Sequence, residues 1–573
     1  MKDIFFFIKQ TKILFSILLL LVVLFFSCHN RRTKTNEYPQ TNDYSLFPQG
    51  TILAGTMEDG RTFYLIRENL AEMAGVCLID NNQAVAEIIS FCADLFGATD
   101  FVCGNAVYSG KISVNPTTKE IEITLPNMPI QEIEAQSVTL RYLGTVPERV
   151  DCQERYKNPV FENMIAKKNI QYDTARGYYV SKPSDYISKE DYEKWFSEML
   201  VLSWKHKGFL FKGNMKQLPL TLDIYQPEND NIARRPLLLL IHGGAFFFGD
   251  KENRIQQVIT DDAVKKGFVV ASINYRLGTA ITPDAIKRII YRDVQDTRAA
   301  LRYLVHHKEK FGIDEEQIYL AGSSAGGIIS LTTAFMDNNE VYSSIGSGWL
   351  SQREDLGGLD RGDNLNDSFK IAGVASLWGG VTHLDMLDNN RIPTLLFHGT
   401  ADNIVPCNEG LPFRDIMGEL IHRGLSLLFG KIYGSAAINT HLQSLNFPVN
   451  YIAFPGAGHD PCLDPDGTVN EKMTVIRHEL GNFLYDNVSK HYFPHCLSGK
   501  TVVGKYDAVP VYQLDNSENI TVQWHVDGGL ITNQTKNAIR VIWYSTSQTG
   551  TITACLTNKN GISCKKELKV EIN

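Results

Sequence analysis

The stretch EEQIYLAGSSAGGIISLTTAFM (Glu315–Met336) decides how this chain folds. Its first half is a short apolar run, the pattern of a strand buried on both faces, and its second half has the length and composition of a buried helix. Between them stands Gly322-Ser323-Ser324-Ala325-Gly326. A sharp strand-to-helix turn brings together the backbones two residues either side of its apex, so both flanks must be small, with glycine preferred. Around Ser324 the flanks are Gly322 and Gly326; around Ser323 they are Ala321 and Ala325. Ser324 is therefore the candidate nucleophile. A chain this long contains G-x-S-x-G by chance in roughly one case in four, so the strand and helix around the motif carry the reading. That context exposes the hydroxyl and aims helix N–H groups at whatever reacts with it.

Outward from this turn the same grammar repeats. PLLLLIHGG, GFVVASINY, IAGVASLWGG, PTLLFHG and VNYIAFPG are continuous apolar runs separated by helical stretches such as RDVQDTRAALRYLVHHKEKFG. Strands without polar alternation, alternating with helices, imply a mostly parallel sheet covered on both faces: an α/β domain over about 205–490. LLLLIHGGAFFFGD (Leu237–Asp250) ends its strand with His242-Gly243-Gly244-Ala245, where small residues let main-chain N–H groups approach a developing alkoxide. The candidate donors are the N–H groups of Gly244, Ala245 and Ala325. PTLLFHGTADNIVP ends in a loop with Asp402, and VNYIAFPGAGHDP ends in one with His459. Both fall at strand C-terminal ends, on the rim that carries Ser324, in the order nucleophile, acid, base. His398 lies inside its strand and reads as a packed imidazole bonded to backbone; His441 and His478 fall in helical segments, facing solvent or core.

Together LDIYQP, IHGGAFFFGD, INYRLG, RDVQDTRAALRYL, GSSAGG, HGTADNIVP and GAGH resemble the HGG-type carboxylesterases of the α/β-hydrolase fold, including the hormone-sensitive-lipase-like and feruloyl-esterase-like groups. The resemblance implies Ser324 as nucleophile, Asp402 and His459 as its triad partners, and Gly244, Ala245 and Ala325 as oxyanion donors. Ala245 departs from relatives with a third glycine, yet alanine still offers an N–H. The long segment 407–450 between acid and base is expected to form part of the lid or of the substrate rim, and Phe246-Phe247-Phe248 either lines the pocket or pins the oxyanion loop. The implied reaction is hydrolysis of carboxylic esters, short-acyl or carbohydrate-linked, through an acyl-enzyme. A serine peptidase of related fold, or a surface binding protein with a vestigial hydrolase domain, are the alternatives.

The 573 residues exceed one hydrophobic core, and 43% apolar with 21% charged residues is ordinary globular composition. Lys+Arg of 56 against Asp+Glu of 64, without a long basic block, disfavours a nucleic-acid partner. The opening MKDIFFFIKQTKILFSILLLLVVLFFSCHN has a charged start, then an apolar run from Ile13 to Phe26, too short for the ~20 residues of a spanning helix, and reads as a signal peptide over 1–27. Ser27-Cys28 resembles a bacterial lipobox, with Cys28 as lipid attachment site and 28–48 as polar tether. The expected localisation is therefore exported and bacterial, anchored to a membrane or secreted. Export permits disulfides, and Cys407 and Cys462, alone in their region, form the expected pair. No CxxC and no zinc-like His/Cys spacing occurs, so neither metal nor cofactor is expected; the acidic loop Gly357–Asp367 lacks calcium-loop spacing.

Residues 49–190 read as a β-rich N-terminal domain with one helical segment near Ala84–Phe96. Ser188 and Asp191 resemble a capping box opening a further helix. A hairpin turning at Gly213-Asn214 would then lead into LDIYQP. Residues 496–573 alternate polar and apolar positions between turns such as Asp527-Gly528-Gly529, the pattern of a β-sandwich, and resemble PKD-like immunoglobulin-type modules.

Overall fold

A computed structural model describes residues 51–67, 73–80, 86–93, 98–103, 106–115, 117–118, 120–128, 133–145, 152–177, 216–246, 248–277, 283–338, 357–412, 430–504, 509–515, 519–543 and 548–573. The signal-peptide region with Cys28, the capping-box helix at Ser188 and the turn at Gly213-Asn214 lie outside these residues. The chain divides into two compact units: residues 153–494 with 558–564, and residues 1–152 with 495–557 and 565–573.

The apolar runs of the first unit become an eight-stranded sheet. Its strands are β1 (Met164–Gly177), β2 (Lys216–Pro227), β3 (Arg235–Ile241), β4 (Val269–Ile273), β5 (Ile313–Ser323), β6 (Ile371–Leu377), β7 (Thr394–Gly399) and β8 (Val449–Phe454). They lie in the order β8-β7-β6-β5-β3-β4-β2-β1. β1 and β2 run antiparallel to their neighbours, and from β4 to β8 every pairing is parallel. Every residue of β3, β4 and β7 is buried, which is why these strands carry no polar alternation. The helices are α1 (Arg254–Lys265), α2 (Pro283–His306), α3 (Lys308–Phe311), α4 (Ala325–Phe335), α5 (Ser435–Ser444) and α6 (Lys472–Tyr492). Pairs α1 with α6 and α2 with α4 pack together against the sheet. α4, in the pair beneath the serine turn, has no exposed residue at all, so hydrophobicity all round replaces amphipathic patterning. This is the α/β-hydrolase architecture.

In the second unit residues 51–145 close into an eight-stranded antiparallel barrel, the first strand (Thr51–Thr56) pairing with both the second and the last (Gln136–Thr145). Alternation along strands such as EIEITL (Glu120–Leu125) sends Ile121, Ile123 and Leu125 inward to Phe63, Phe101 and Leu140. A barrel of eight strands is narrow enough for such side chains to fill. Residues 497–572 form two four-stranded sheets, with Trp543 Nε1 donating to Tyr512 Oη at 3.0 Å in their core. Cys152 and Cys555 are joined in a disulfide across this unit.

Three expectations are corrected. The segment near Ala84–Phe96 is a strand (Ala86–Ala93) laddered to Met73–Asp80 and Ala98–Cys103; pairing on both edges outweighs local helical patterning. The β-rich domain does not run to 190, because Met164–Gly177 pairs with β2 as the edge of the α/β sheet. Cys407 and Cys462 are buried free thiols, Cys407 lying 3.0 Å from Tyr451 Oη; their isolation in sequence did not bring them together in space.

Candidate active site

β5 delivers Ser324 at its C-terminal end, and α4 begins at the next residue. Ser324 has φ 54° and ψ −119°, a strained apex that ordinary residues avoid. The crowding behind it explains its glycines. A Cβ on Gly322 would lie 2.2 Å from the Gly326 carbonyl oxygen, and one on Gly326 would lie 2.0 Å from that of Ile241 and 2.6 Å from that of His242. Gly326→Ala thus drives a methyl into β3 backbone. It should lower stability by about 2–3 kcal/mol or more and abolish labelling of Ser324, as urea unfolding and active-site titration would show.

The loop after β3 turns through three successive positive φ angles, Gly244 at 118°, Ala245 at 51° and Phe246 at 69°. Two of these are borne by side-chain residues, so the surroundings must hold the turn in place. Tyr275 Oη donates to the His242 carbonyl at 2.9 Å, and the two rings stack with centroids 4.3 Å apart. His242 Nδ1 donates to the Gly243 carbonyl at 2.7 Å. Burial drives the His242 pKa down to about 4 against the pull of that hydrogen bond, so the ring anchors the loop as a neutral imidazole. Ala245, Phe246, Ser324 and Ala325 line one cavity of about 30 Å³, together with Lys287 and Ile290 of α2, Ile328, Thr382, Ile404, Val405, Pro412 and Ile432. Phe246 thus faces the cavity, and the 407–450 segment contributes Pro412 and Ile432 to its wall.

Three side chains far apart in sequence meet at this rim. His459 Nε2 lies 2.8 Å from Ser324 Oγ, and its Nδ1 lies 2.7 Å from Asp402 Oδ2. Asp402 Oδ1 accepts the N–H groups of Ile404 at 2.8 Å and Val405 at 3.0 Å. The carboxylate therefore cannot turn away, and the proton on His459 sits on Nδ1, leaving Nε2 to accept from the serine. Asp402 is buried, which opposes its charge, but His459 and His398 hold its pKa well below the carboxylate range. Burial likewise pulls the His459 pKa down; the charges of Asp402 and Asp460 and the Asp402 hydrogen bond outweigh this and raise it to about 9. Because the folded-state value is raised, the stabilisation His459 gives the fold is complete below its ordinary 6.5 and fades as pH climbs to about 9. The base form grows over the same interval. Ester turnover should therefore rise on the alkaline side, with a limb well above 6.5 and near 9, in a kcat/KM profile corrected for spontaneous hydrolysis.

His398 does more than pack. It is fully buried, with Nε2 2.9 Å from the Val405 carbonyl and 3.3 Å from Asp402 Oδ2, and Nδ1 2.8 Å from Ser435 Oγ. The four-residue spacing in HGTAD held the signal, since β7 ends between the two residues. Lys287 and Ile290 were also missed; α2 carries both to the cavity that Ser324 lines. His441 on α5 binds exposed Asp388 at 2.7 Å, and His478 is exposed on α6. In the acidic loop, Asp360 pairs with Arg298 at 2.8 Å and also with Arg302. Among the described residues no group of three or more His, Cys, Asp or Glu could hold a metal ion.

Fold and site together define an α/β-hydrolase with a Ser-His-Asp constellation. Residues 222–385 match the BD-FAE family model. The chain is similar to the isoprenylcysteine alpha-carbonyl methylesterase ICME of Arabidopsis thaliana, 25% identical over 219 residues, covering 34% of this chain and 49% of the relative. Similarity extends to Esterase LipI of Mycobacterium tuberculosis, 32% identical over 117 residues, covering 20% of this chain and 34% of the relative. The chain thus spans half or less of the length of these curated relatives. Among solved structures it is similar to a truncated carbohydrate esterase from gut microbiota (TM-score 0.34, 18% identity, 58% of this chain and 98% of that one). It is also similar to Thermogutta terrifontis esterase 2 phosphonylated by cyclosarin (TM-score 0.33, 18% identity, 47% and 89%).

Proposed function

We propose that this chain is a serine carboxylic ester hydrolase working through an acyl-enzyme. The observation that carries this reading is the unbroken relay from Asp402 Oδ2 through His459 to Ser324 Oγ, with links of 2.7 and 2.8 Å. Ser324 Oγ attacks the ester carbonyl carbon as its proton passes to His459 Nε2. The carbonyl oxygen becomes an alkoxide held by the N–H groups of Gly244, Ala245 and Ala325, each donor worth about 3–4 kcal/mol in the transition state. His459 then gives its proton to the departing alcohol. Water, deprotonated by the same imidazole, attacks the acyl-enzyme; the acid leaves and Ser324 regains its proton.

Acetyl or similarly short acyl groups, including those carried on carbohydrates, suit a site walled beside Ser324 by Ala245, Phe246, Ala325 and Ile328. The same proposal has the protein exported, with a lipid on Cys28 anchoring it to a membrane and the C-terminal sandwich serving as a PKD-like accessory module. A disulfide between Cys152 and Cys555 supports an oxidising compartment. The test is labelling with a fluorophosphonate, followed by a panel of p-nitrophenyl esters from acetyl to octanoyl and aminoacyl amides. A labelled Ser324 peptide and kcat/KM falling beyond butyryl are expected; no labelling, or amides cleaved better than esters, would overturn the reading.

A further inference from the structure

Among the described residues lining the cavity at Ser324, Lys287 alone is charged. Lys287 is half-buried, whereas the buried lysines of this unit are neutralised: Lys251 by Asp223 at 3.2 Å, Lys266 by Asp262 at 2.6 Å. Among the described residues Lys287 has no such carboxylate partner. The wall beside it is apolar, with Ile290 one turn along α2 and Ile328 and Ile404 across the cavity. A half-buried ammonium beside such a wall keeps donors available to an anion in the cavity. A second polar group faces the same space: Thr382 lines the cavity, and its Oγ1 lies 3.1 Å from Nδ1 of half-buried His383. Burial lowers the pKa of His383, and the positive charge of Lys287 adds to this while Asp385 opposes it.

We propose that Lys287, with Thr382 lining the same cavity, forms an anion subsite, so that the ester cleaved at Ser324 carries a carboxylate on the limb that fills this cavity. The inference rests on the ester-hydrolase reading above and names its substrate class. A lysine is a point charge with three donors, suited to one carboxylate oxygen at a time, and charge-assisted bonds are about twice as strong as neutral ones. Two chemistries supply such a group: a dicarboxylic acid esterified at one end, with the anion on the acyl limb, or an acylated uronic acid, with the anion on the alcohol limb. Neither alters the bonds made and broken at Ser324.

The test uses the full chain as wild type, Lys287→Met, which keeps the apolar stem, and Lys287→Arg, which keeps the charge. Two matched pairs separate the limbs: p-nitrophenyl hemisuccinate against p-nitrophenyl butyrate, and acetylated glucuronate against acetylated glucose. In one pair the anionic-to-neutral ratio of kcat/KM should fall about 10-fold or more in Lys287→Met and return in Lys287→Arg. The ratio cancels any general loss of activity. Calorimetric titration with succinate and with glucuronate reads the subsite without turnover, and affinity for one of them should fall by about the same factor in Lys287→Met. Equal ratios in both pairs, or titrations in which wild type binds neither acid or binds both as Lys287→Met does, overturn the subsite. Absence of fluorophosphonate labelling in wild type overturns the ester-hydrolase reading instead, and the titration still decides the subsite.

Discussion

Ser324→Ala is expected to lower kcat on p-nitrophenyl acetate by about 10⁵-fold, with little change in the unfolding midpoint. Removing Oγ deletes the atom that forms the acyl bond, so the covalent route closes and only water held at the oxyanion donors can still react. A 10⁵-fold loss is about 7 kcal/mol of activation free energy, more than any packing change from losing one hydroxyl could produce. Alanine also keeps the elbow backbone: it tolerates φ 54° about as serine does, and the neighbouring glycines take the close contacts. Comparable turnover by both proteins would remove Ser324 from the mechanism, and with it the acyl-enzyme.

Asp402→Asn should cost about 10⁴-fold in kcat/KM. An asparagine cannot satisfy its surroundings in either orientation. With the amide nitrogen at the Oδ2 position it faces the N–H of His459 at 2.7 Å and the His398 ring at 3.3 Å; flipped, it meets the N–H groups of Ile404 and Val405. His459 then turns its other tautomer toward the serine and no longer accepts its proton. The pH profile should move as well. Burial is the largest influence on His459 and acts downward, so without the Asp402 charge the limb should shift from near 9 toward neutral pH or below. A variant with unchanged rate, or with a limb moved upward, would contradict the assignment of Asp402 as the group that orients and charges His459.

How much of this was legible beforehand follows from the range of each signal. G-x-S-x-G is a local steric rule: the glycines at ±2 are required because their own turn folds onto itself and onto β3, and Cβ distances of 2.0–2.2 Å state the same constraint in space. Apolar runs ending in His242, Asp402 and His459 are likewise local, and a parallel sheet puts the C-terminal ends of its strands on one rim. The barrel segment Ala86–Ala93 was misread because both its edges are paired to strands that its own residues do not reveal. The Cys407–Cys462 expectation failed for a related reason, since counting cysteines by region ignores where the sheet carries them.

Sequence by itself determined the elbow, the strand-and-helix alternation of the α/β unit and the identity of the three residues at its rim, because each depends on contacts within a few residues or on strand polarity. Tertiary structure alone decided that Met164–Gly177 joins the α/β sheet, that Cys152 bonds to Cys555, and that Lys287 enters the cavity. These are pairings between side chains or edges dozens to hundreds of residues apart. No local periodicity encodes them; they exist only once the core has closed and brought the surfaces together.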